Sequence, residues 1–146
     1  MKTALITGAN KGIGFEAAKQ LLQNDYYVFL GSRNEKLGND AVEKLKSEGF
    51  KNVEAVQIDV TDDTSVNNAR IELGKKIDVL DVLINNAGFG TNKAFTMSTL
   101  EIEQQLLDVL VRTPMRLMHV ALPLMKERNN GVIINVSSVA GYIAGG

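Results

Sequence analysis

The sequence predicts a doubly wound α/β fold, a parallel β-sheet with helices on both faces. Short apolar and β-branched runs alternate with segments of helical periodicity along the whole chain. The first apolar run leads directly into a glycine-rich turn. Strands that alternate with helices form βαβ units, and right-handed crossovers place the helices on both faces of the sheet. The expected sheet has five strands in the order 3-2-1-4-5.

The composition indicates one globular domain over residues 1–146, with 45% apolar residues and a net charge of −1. This charge gives no indication of binding to nucleic acid or to an anionic membrane. The absence of cysteine and the single histidine exclude disulfides, thiolate catalysis and a Cys/His metal cluster, so no metal site is expected. A strand is predicted almost at the N-terminus, so we expect no signal peptide and a cytoplasmic protein.

The first strand is predicted at residues 4–6, followed by a glycine turn and a helix over residues 12–24. This arrangement directs backbone N–H groups and the positive end of a helix at one point, which suits a phosphate. Gly8 permits the tight turn, Gly12 lets a pyrophosphate approach, and Gly14 lets helix and strand pack closely. The spacing G-x-x-x-G-x-G differs from the common G-x-G-x-x-G, and an ordinary glycine turn remains an alternative.

The remaining elements follow from periodicity and from residues that begin or end helices. Thr61-Asp62-Asp63 is an N-cap cluster, and Gly49 is placed to end the helix before it. Pro114 and Pro123 should interrupt or kink the last, long helix. Strands are predicted at 26–30, 53–58, 80–84 and 132–136. Helices are predicted at 35–47, from the 61–63 cluster to about 75, and from 98 or 99 to about 128. The helix at 35–47 has Leu37, Ala41 and Leu45 on one face. Loops are expected at 31–34 and 85–98, with a turn at 129–131.

The carboxyl ends of parallel strands lie at one edge of the sheet, so the loops that follow them should converge around the glycine turn. All of these loops contain polar or small residues. They are Gly31-Ser32-Arg33, Asp59-Val60, Asn85-Asn86-Ala87-Gly88 and Ser137-Ser138.

Together these segments resemble the short-chain dehydrogenase/reductase family. The segment from Thr7 to Gly14 matches its T-G-x-x-x-G-x-G motif and is similar to the carbonyl reductase branch. Asn85 to Gly88 matches its N-N-A-G, Asp59-Val60 its Asp-Val pair, and Ser137-Ser138 its strand-five ending. The resemblance covers the whole chain. It implies a Rossmann-type fold and hydride transfer between a nicotinamide dinucleotide and a ketone or aldehyde.

The resemblance also implies which residues bind the cofactor. Arg33 and Lys11 suit the 2′-phosphate of NADP(H), because no acidic residue ends the second strand. Both could instead be solvated loop cations, Asp59 could cap the next helix rather than bind adenine, and the N-N-A-G segment could be a plain turn. The cofactor-binding residues implied are Thr7, Gly8, Asn10, Lys11, Gly12, Ile13, Gly14, Arg33, Asp59, Val60, Asn86, Ala87 and Gly88.

The chain departs from the family at the catalytic residues. The Tyr-x-x-x-Lys motif is expected about thirteen residues after Ser138, but the sequence ends at Gly146, and Tyr142 is too close to the serine. Leu110, after Asp108-Val109, stands where the family commonly has a relay asparagine, and leucine makes no hydrogen bond. We therefore expect a truncated fragment that binds NADP(H) weakly or not at all, with Ser138 vestigial and no turnover. An active NADP(H)-dependent reductase is the alternative.

The two halves of the sequence also differ in style. Residues 1–88 are rich in lysine and asparagine, and the later half has a methionine-rich helix, which suggests a recombined or engineered chain. His119, Met115, Met118 and Met125 are interpreted as structural. We also expect a homo-oligomer, through the uncharged strand 132–136 or the long helix. The apolar helix residues concerned are Leu106, Leu107, Leu110, Leu117, Met118 and Leu122.

Overall fold

The computed structural model describes residues 1–91 and 94–138. Its sheet is parallel and has five strands in the order β3-β2-β1-β4-β5, which confirms the predicted topology. The strands are β1 (Thr3–Ile6), β2 (Tyr27–Ser32), β3 (Val53–Gln57), β4 (Val82–Asn85) and β5 (Val132–Asn135). The helices are α1 (Gly12–Gln23), α2 (Glu35–Ser47), α3 (Asp63–Gly74), α4 (Leu100–Leu107) and α5 (Thr113–Glu127), with a 3₁₀ turn at Phe95–Met97 and a π-helical segment at Asp108–Arg112.

Alternating residues of the strands form two cores, one on each face of the sheet. On β1, Ala4 and Ile6 pack with α1 and α2, whereas Leu5 faces α3 and α5. Phe29 and Leu83 join Leu5 on the second face. A strand turns successive side chains to opposite faces, so a strand buried on both faces reads as a continuous apolar run. Each fully buried large side chain contributes about 1.5–3 kcal/mol.

The second strand is longer than predicted, because Gly31 and Ser32 belong to β2 and not to a loop. The carbonyl of Gly31 accepts a hydrogen bond from Ala9 N–H at 2.8 Å, and that of Ser32 accepts one from Ile58 N–H at 2.9 Å. A Cβ at Gly31 would lie 2.8 Å from the carbonyl oxygen of Ile6. Gly31 is therefore a strand residue at which two backbones approach closely. In the same way Asn85, predicted in a loop, is the last residue of β4.

Helix α2 has the predicted bounds, and the predicted apolar face is buried at two of its three residues. Leu37 is 50% exposed, whereas Ala41 and Leu45 are buried. The neighbouring Gly38 is buried instead, and a Cβ at that position would lie 3.1 Å from the Cβ of Ser32. Positions separated by four residues drift by about 40° per step in a helix of 3.6 residues per turn, so Leu37 lies at the edge of the stripe that Leu45 centres. Of the three residues predicted on one face, Ala41 and Leu45 are buried, and Leu37 stays exposed at the edge of that face.

The predicted long helix is interrupted just before Pro114. The break is the π-helical segment, in which the N–H of Thr113 donates to the carbonyl of Asp108. Pro114 has no N–H to donate to Leu110, and its ring would collide with that carbonyl in a regular helix. Pro123 lies inside α5, which continues past it to Glu127. None of the helices in residues 1–91 and 94–138 is both long enough and apolar enough to cross a membrane.

Candidate functional site

The loop between β1 and α1 is bonded to the end of β4. The buried hydroxyl of Thr7 accepts hydrogen bonds from the N–H groups of Asn86 and Ala87, both at 3.0 Å. The side-chain amide of Asn86 donates to the carbonyls of Thr7 and Gly8, again at 3.0 Å. Two of the motifs found in the sequence therefore meet through four hydrogen bonds, which fix the shape of the glycine loop.

The glycines of this loop divide it into a closed and an open side. Gly8 has φ +63°, and a Cβ there would lie 2.8 Å from Cα of Ala87. A Cβ at Gly14 would lie 2.4 Å from the side-chain nitrogen of Asn86. At Gly12, with φ +61°, a Cβ would meet nothing within 4 Å. The loop is thus packed tightly against the protein at Gly8 and Gly14 and is open in front of α1.

The N-terminus of α1 lacks the side-chain acceptors found on the two following helices. Its N-cap residue, Lys11, makes no capping hydrogen bond, and the first turn contains no acidic residue. In contrast, Asn34 caps α2 through Leu37 N–H at 2.9 Å. Asp62 caps α3 as predicted. The first N–H groups of a helix need acceptors, so the uncapped N-terminus beside an open Gly12 fits a phosphate group.

Three predicted residues around the loop are accessible to a ligand. Lys11 is exposed, Ile13 is 70% exposed, and Asn10 is half-buried. Gly12 and Ile13 form the first turn of α1, where backbone N–H groups point out of the helix. An anion placed there would therefore meet backbone donors together with a cationic side chain.

Arg33 and Asp59 follow neighbouring strands at the same edge of the sheet. The Arg33 side chain is exposed, and its guanidinium makes no hydrogen bond or ion pair within the described residues. Asp59 is held by a local turn, in which Oδ1 accepts from the N–H and the hydroxyl of Thr61 at 2.9 and 2.7 Å. The N-cap of α3 is Asp62, so Asp59 organises the turn without capping that helix itself. Val60 is half-buried and bonded through its carbonyl to the Thr113 hydroxyl at 2.6 Å.

On the other side of the crevice, the π-helical segment brings Leu110 to the end of β4. A Cβ at Gly88 would lie 3.2 Å from Cδ2 of Leu110, whose side chain is half exposed. The N–H of Val136 donates to the carbonyl of Asn85 at 2.9 Å, so the chain that leads to Ser138 starts beside β4. Ser138 itself is exposed. Tyr142 lies outside the described residues.

Sequence reasoning missed an amide pair beneath these loops, formed by buried Asn85 and exposed Asn135. The side chain of Asn85 donates to Oδ1 of Asn135 at 2.7 Å, while its own Oδ1 is buried without a hydrogen bond in the described part of the chain. The two residues are register partners in β4 and β5. Only the pairing register could have revealed this contact, because nothing in the local sequence links positions fifty residues apart.

Two cavities lie between neighbouring helices. One of about 340 Å³ lies between α1 and α2 beside the glycine loop, and its lining includes Phe15 and Lys44, which were not predicted as site residues. The other, of about 490 Å³, lies between α3 and α5 and is lined by none of the predicted site residues. No group of acidic or histidine side chains in residues 1–91 and 94–138 could hold a metal ion. The first cavity is lined by Asn10, Lys11, Gly12, Phe15, Leu37, Asp40, Ala41 and Lys44.

Comparison with known proteins gives a consistent result. A family model described as short chain dehydrogenase matches residues 2–145. A (+)-neomenthol dehydrogenase of Arabidopsis thaliana is 32% identical over 161 residues, an alignment that covers 96% of this chain and 54% of that protein. The chain thus spans about half the length of this curated relative.

Solved structures are similar over almost the whole chain. A gluconate 5-dehydrogenase from Burkholderia cenocepacia, in complex with NADP and tartrate, has a TM-score of 0.86 and 26% identity, over 99% of this chain and 56% of that one. A 3-oxoacyl-[acyl-carrier protein] reductase from Brucella melitensis with bound NAD has a TM-score of 0.88 and 26% identity, over 99% and 56%. The two neighbours therefore hold different nicotinamide dinucleotides.

Proposed function

Because the chain belongs to the short-chain dehydrogenase family, we propose that its glycine loop binds the pyrophosphate of a nicotinamide dinucleotide, with NADP(H) preferred over NAD(H). The observation that carries the proposal is the uncapped N-terminus of α1 beside the open side of Gly12. Backbone N–H groups and the helix dipole bind the pyrophosphate there. Bonding of Thr7 to Asn86 and Ala87 keeps the loop in shape before the ligand arrives.

The preference for NADP(H) rests on charge at the ends of β1 and β2. The Arg33 guanidinium has no partner within the described residues, and its planar shape suits a phosphate. Strand β2 ends at Ser32, whose hydroxyl donates to the carbonyl of Asn34 at 2.8 Å, and no carboxylate stands there to bind ribose hydroxyls. Lys11 adds a second cation on the glycine-loop side. In this proposal Asp59 and Val60 contact adenine, and the residues from Asn86 to Gly88 border the cofactor.

Bound NADPH supplies a hydride, but reduction of a carbonyl also needs a positioned acid. The 146 residues contain no tyrosine followed four positions later by lysine, and Leu110 beside Gly88 offers no hydrogen bond. General acid catalysis contributes about 10²–10⁴ in rate. We therefore expect the 146-residue polypeptide to bind the dinucleotide without steady reduction of ketones or aldehydes. Its Ser138 is then a surface hydroxyl and not a working catalytic group.

Titration of NADPH and NADH against the purified polypeptide tests the binding proposal. The expected result is saturable binding of both, with NADPH tighter, and tighter NADH would contradict the preference. The same samples, incubated with a panel of ketones and aldehydes, distinguish the two functions. Steady NADPH oxidation that is lost in Ser138→Ala would establish the alternative, an active reductase.

We also propose that the chain self-associates. Ile134 is 45% exposed and lies on β5, which pairs only with β4 among the described residues. Leu107 and Leu122 on the α4–α5 segment are 60% and 55% exposed, whereas Leu117 packs against the second core and is not part of an outer face. Exposed apolar side chains on a strand edge and on a helix are typical of surfaces that bind another chain. Sedimentation at micromolar concentration should show a species larger than 15.9 kDa, and a monomer would contradict the proposal.

A matched pair of variants identifies the contact. Ile134→Lys places a charge on the edge strand, and Leu122→Glu places one on the exposed face of α5. Whichever variant shifts the protein toward monomer lies in the interface. Val120→Thr, a small change on the same helix, is the control.

A further inference from the structure

Lys44 lies beside the glycine loop although it is on a different element. Its ammonium nitrogen is 5.0 Å from the centroid of the Phe15 ring. Phe15 is the fourth residue of α1, one turn beyond Gly12. Lys44 and Lys11 line the same cavity between α1 and α2. The ammonium group of Lys44 is thus close to the first turn of α1, where the sequence did not predict it.

Among the lysines of α2, Lys44 differs in having no carboxylate partner. Lys36 pairs with Asp40 at 2.8 Å, and Lys46 pairs with Glu43 at 3.1 Å. The ammonium group of Lys44 makes only its contact with the aromatic ring within residues 1–91 and 94–138, and that of Lys11 has no ion pair there. Asp40, the acidic residue that lines the cavity, is engaged by Lys36. The cavity therefore carries two ammonium groups whose charge the described residues do not neutralise.

We propose that Lys44 is a specificity-determining residue that binds, with Lys11, the 2′-phosphate of the dinucleotide in the α1–α2 cavity. This inference rests on the proposed function, because the pyrophosphate on the glycine loop positions the adenosine end of the ligand. A charge-assisted hydrogen bond to a phosphate is stronger than a cation–π contact at an exposed site, so the ammonium leaves the Phe15 ring for the ligand. Arg33 does not line this cavity, so it approaches the phosphate from another side.

Lys44→Gln tests the inference on the intact polypeptide, because it removes the charge and keeps an unbranched polar side chain that is only one atom shorter. We expect NADPH and adenosine 2′,5′-bisphosphate to bind about tenfold more weakly, as for the loss of one charge-assisted bond, with NADH changed less than twofold. The dependence of NADPH affinity on salt concentration should also become less steep. Lys44→Arg, which keeps the charge, should restore most of the affinity.

Lys46→Gln is the matched control, since it lies on the same helix two residues away and is already paired. It should leave the affinities for all three ligands unchanged. Equal NADPH binding by Lys44→Gln and the original chain would overturn the inference while the proposed function stands. An equal loss of NADPH and NADH affinity in Lys44→Gln would overturn it too, because a side chain that only supports packing would affect both dinucleotides alike. Failure of the original chain to bind any dinucleotide would overturn the proposed function and the inference together.

Discussion

The two ends of the parallel sheet differ in how their polar groups are satisfied. At the amino end, Asp81 accepts a hydrogen bond from the N–H of Thr3 at 2.8 Å, and Lys76 bridges Glu54 and Glu72 at 2.6 and 3.0 Å. At the carboxyl end, the N-terminus of α1 has no side-chain cap, and the Arg33 guanidinium has no partner in the described part of the chain. These groups at the amino end are thus paired within the chain, while the carboxyl end presents backbone donors and a cation outward.

The pairing at the amino end also affects ionisation. Burial and, after it, the hydrogen bond to Glu54 raise the pKa of Tyr27 to about 12. The hydrogen bond from Lys76, followed by that from Tyr27, holds the pKa of Glu54 below its usual value. The hydrogen bonds that Lys76 donates to Glu54 and Glu72 raise the pKa of Lys76 in turn. Charges that are paired at the amino end of the sheet stabilise the fold, whereas the unpaired donors at the carboxyl ends of the strands are available for a ligand.

The largest effect that we predict separates the two sides of the glycine loop. Gly8→Ala adds left-handed strain and a collision with the backbone of Ala87, and should lower the free energy of unfolding by about 3 kcal/mol. Gly12→Ala adds the strain without a collision, at about 1 kcal/mol, but its methyl group projects where the pyrophosphate approaches. Urea denaturation measures the first quantity and dinucleotide titration the second.

Gly12→Ala should therefore keep most of its stability and lose dinucleotide affinity at least tenfold. Gly90→Ala, at a glycine with no positive φ and open space around its Cβ position, is the control for both measurements. If Gly12→Ala bound NADPH as well as the original chain does, the open side of the loop would not be the ligand's side, and the comparison between the two ends of the sheet would lose its basis.

The next effect concerns the unpaired cation at the end of β2. Arg33→Asp replaces attraction for a phosphate by repulsion, so NADPH affinity should fall about a hundredfold, or about 3 kcal/mol, while NADH affinity stays within a few fold. Arg70→Asp, an exposed arginine on α3, reverses a charge away from the glycine loop and should leave the preference intact. Equal loss of both dinucleotides in Arg33→Asp would show that Arg33 does not read the 2′-phosphate.

At the amino end, a substitution should change stability and leave binding intact. Asp81→Ala removes the acceptor for the N–H of half-buried Thr3, which should cost about 1–2 kcal/mol in the free energy of unfolding. NADPH affinity, measured where the protein is fully folded, should not change. Asp78→Ala, an exposed carboxylate nearby, should change neither. A tenfold loss of affinity in Asp81→Ala would mean that the two ends of the sheet are coupled.

The sequence predicted the parts of the molecule that depend on local pattern. Strand order, the bounds of α2 and the cap at Asp62 followed from periodicity and residue type. What was missed depends on contacts between distant segments. The Asn85–Asn135 pair needs the register of two strands, and Lys44 reaches the glycine loop only because α1 and α2 lie side by side.

Local chemistry explains the other differences, although several effects compete there. Pro114 indicated an interruption of the long helix, yet the π-helical form of the break and the contact of Leu110 with Gly88 depend on how the helix packs. Gly31 is a residue type typical of turns, but in this fold it lies in a strand, where the carbonyl of Ile6 occupies the space that a side chain would need. A glycine at a close approach and a glycine in a loop look the same in one sequence.

The smallest predicted effect tests the charge network at the amino end through its dependence on pH. Glu54 has a depressed pKa in the folded protein, so the folded state favours the carboxylate more than the unfolded state does. Its contribution to stability is therefore complete above the unfolded pKa of about 4.3 and is lost as the pH falls through the lower, folded value.

Glu54→Gln keeps an acceptor for Lys76 but removes the charge. Because both side chains are more than a third exposed, solvent screens the pair, and the loss at pH 7 should be about 0.5 kcal/mol. Urea denaturation from pH 7 downward should show the two proteins converging below about pH 4. A difference that persisted unchanged in acid would instead assign the effect to packing. In that case Tyr27→Phe, which removes the other hydrogen bond to Glu54, should also lower the free energy of unfolding in acid by as much as it does at neutral pH.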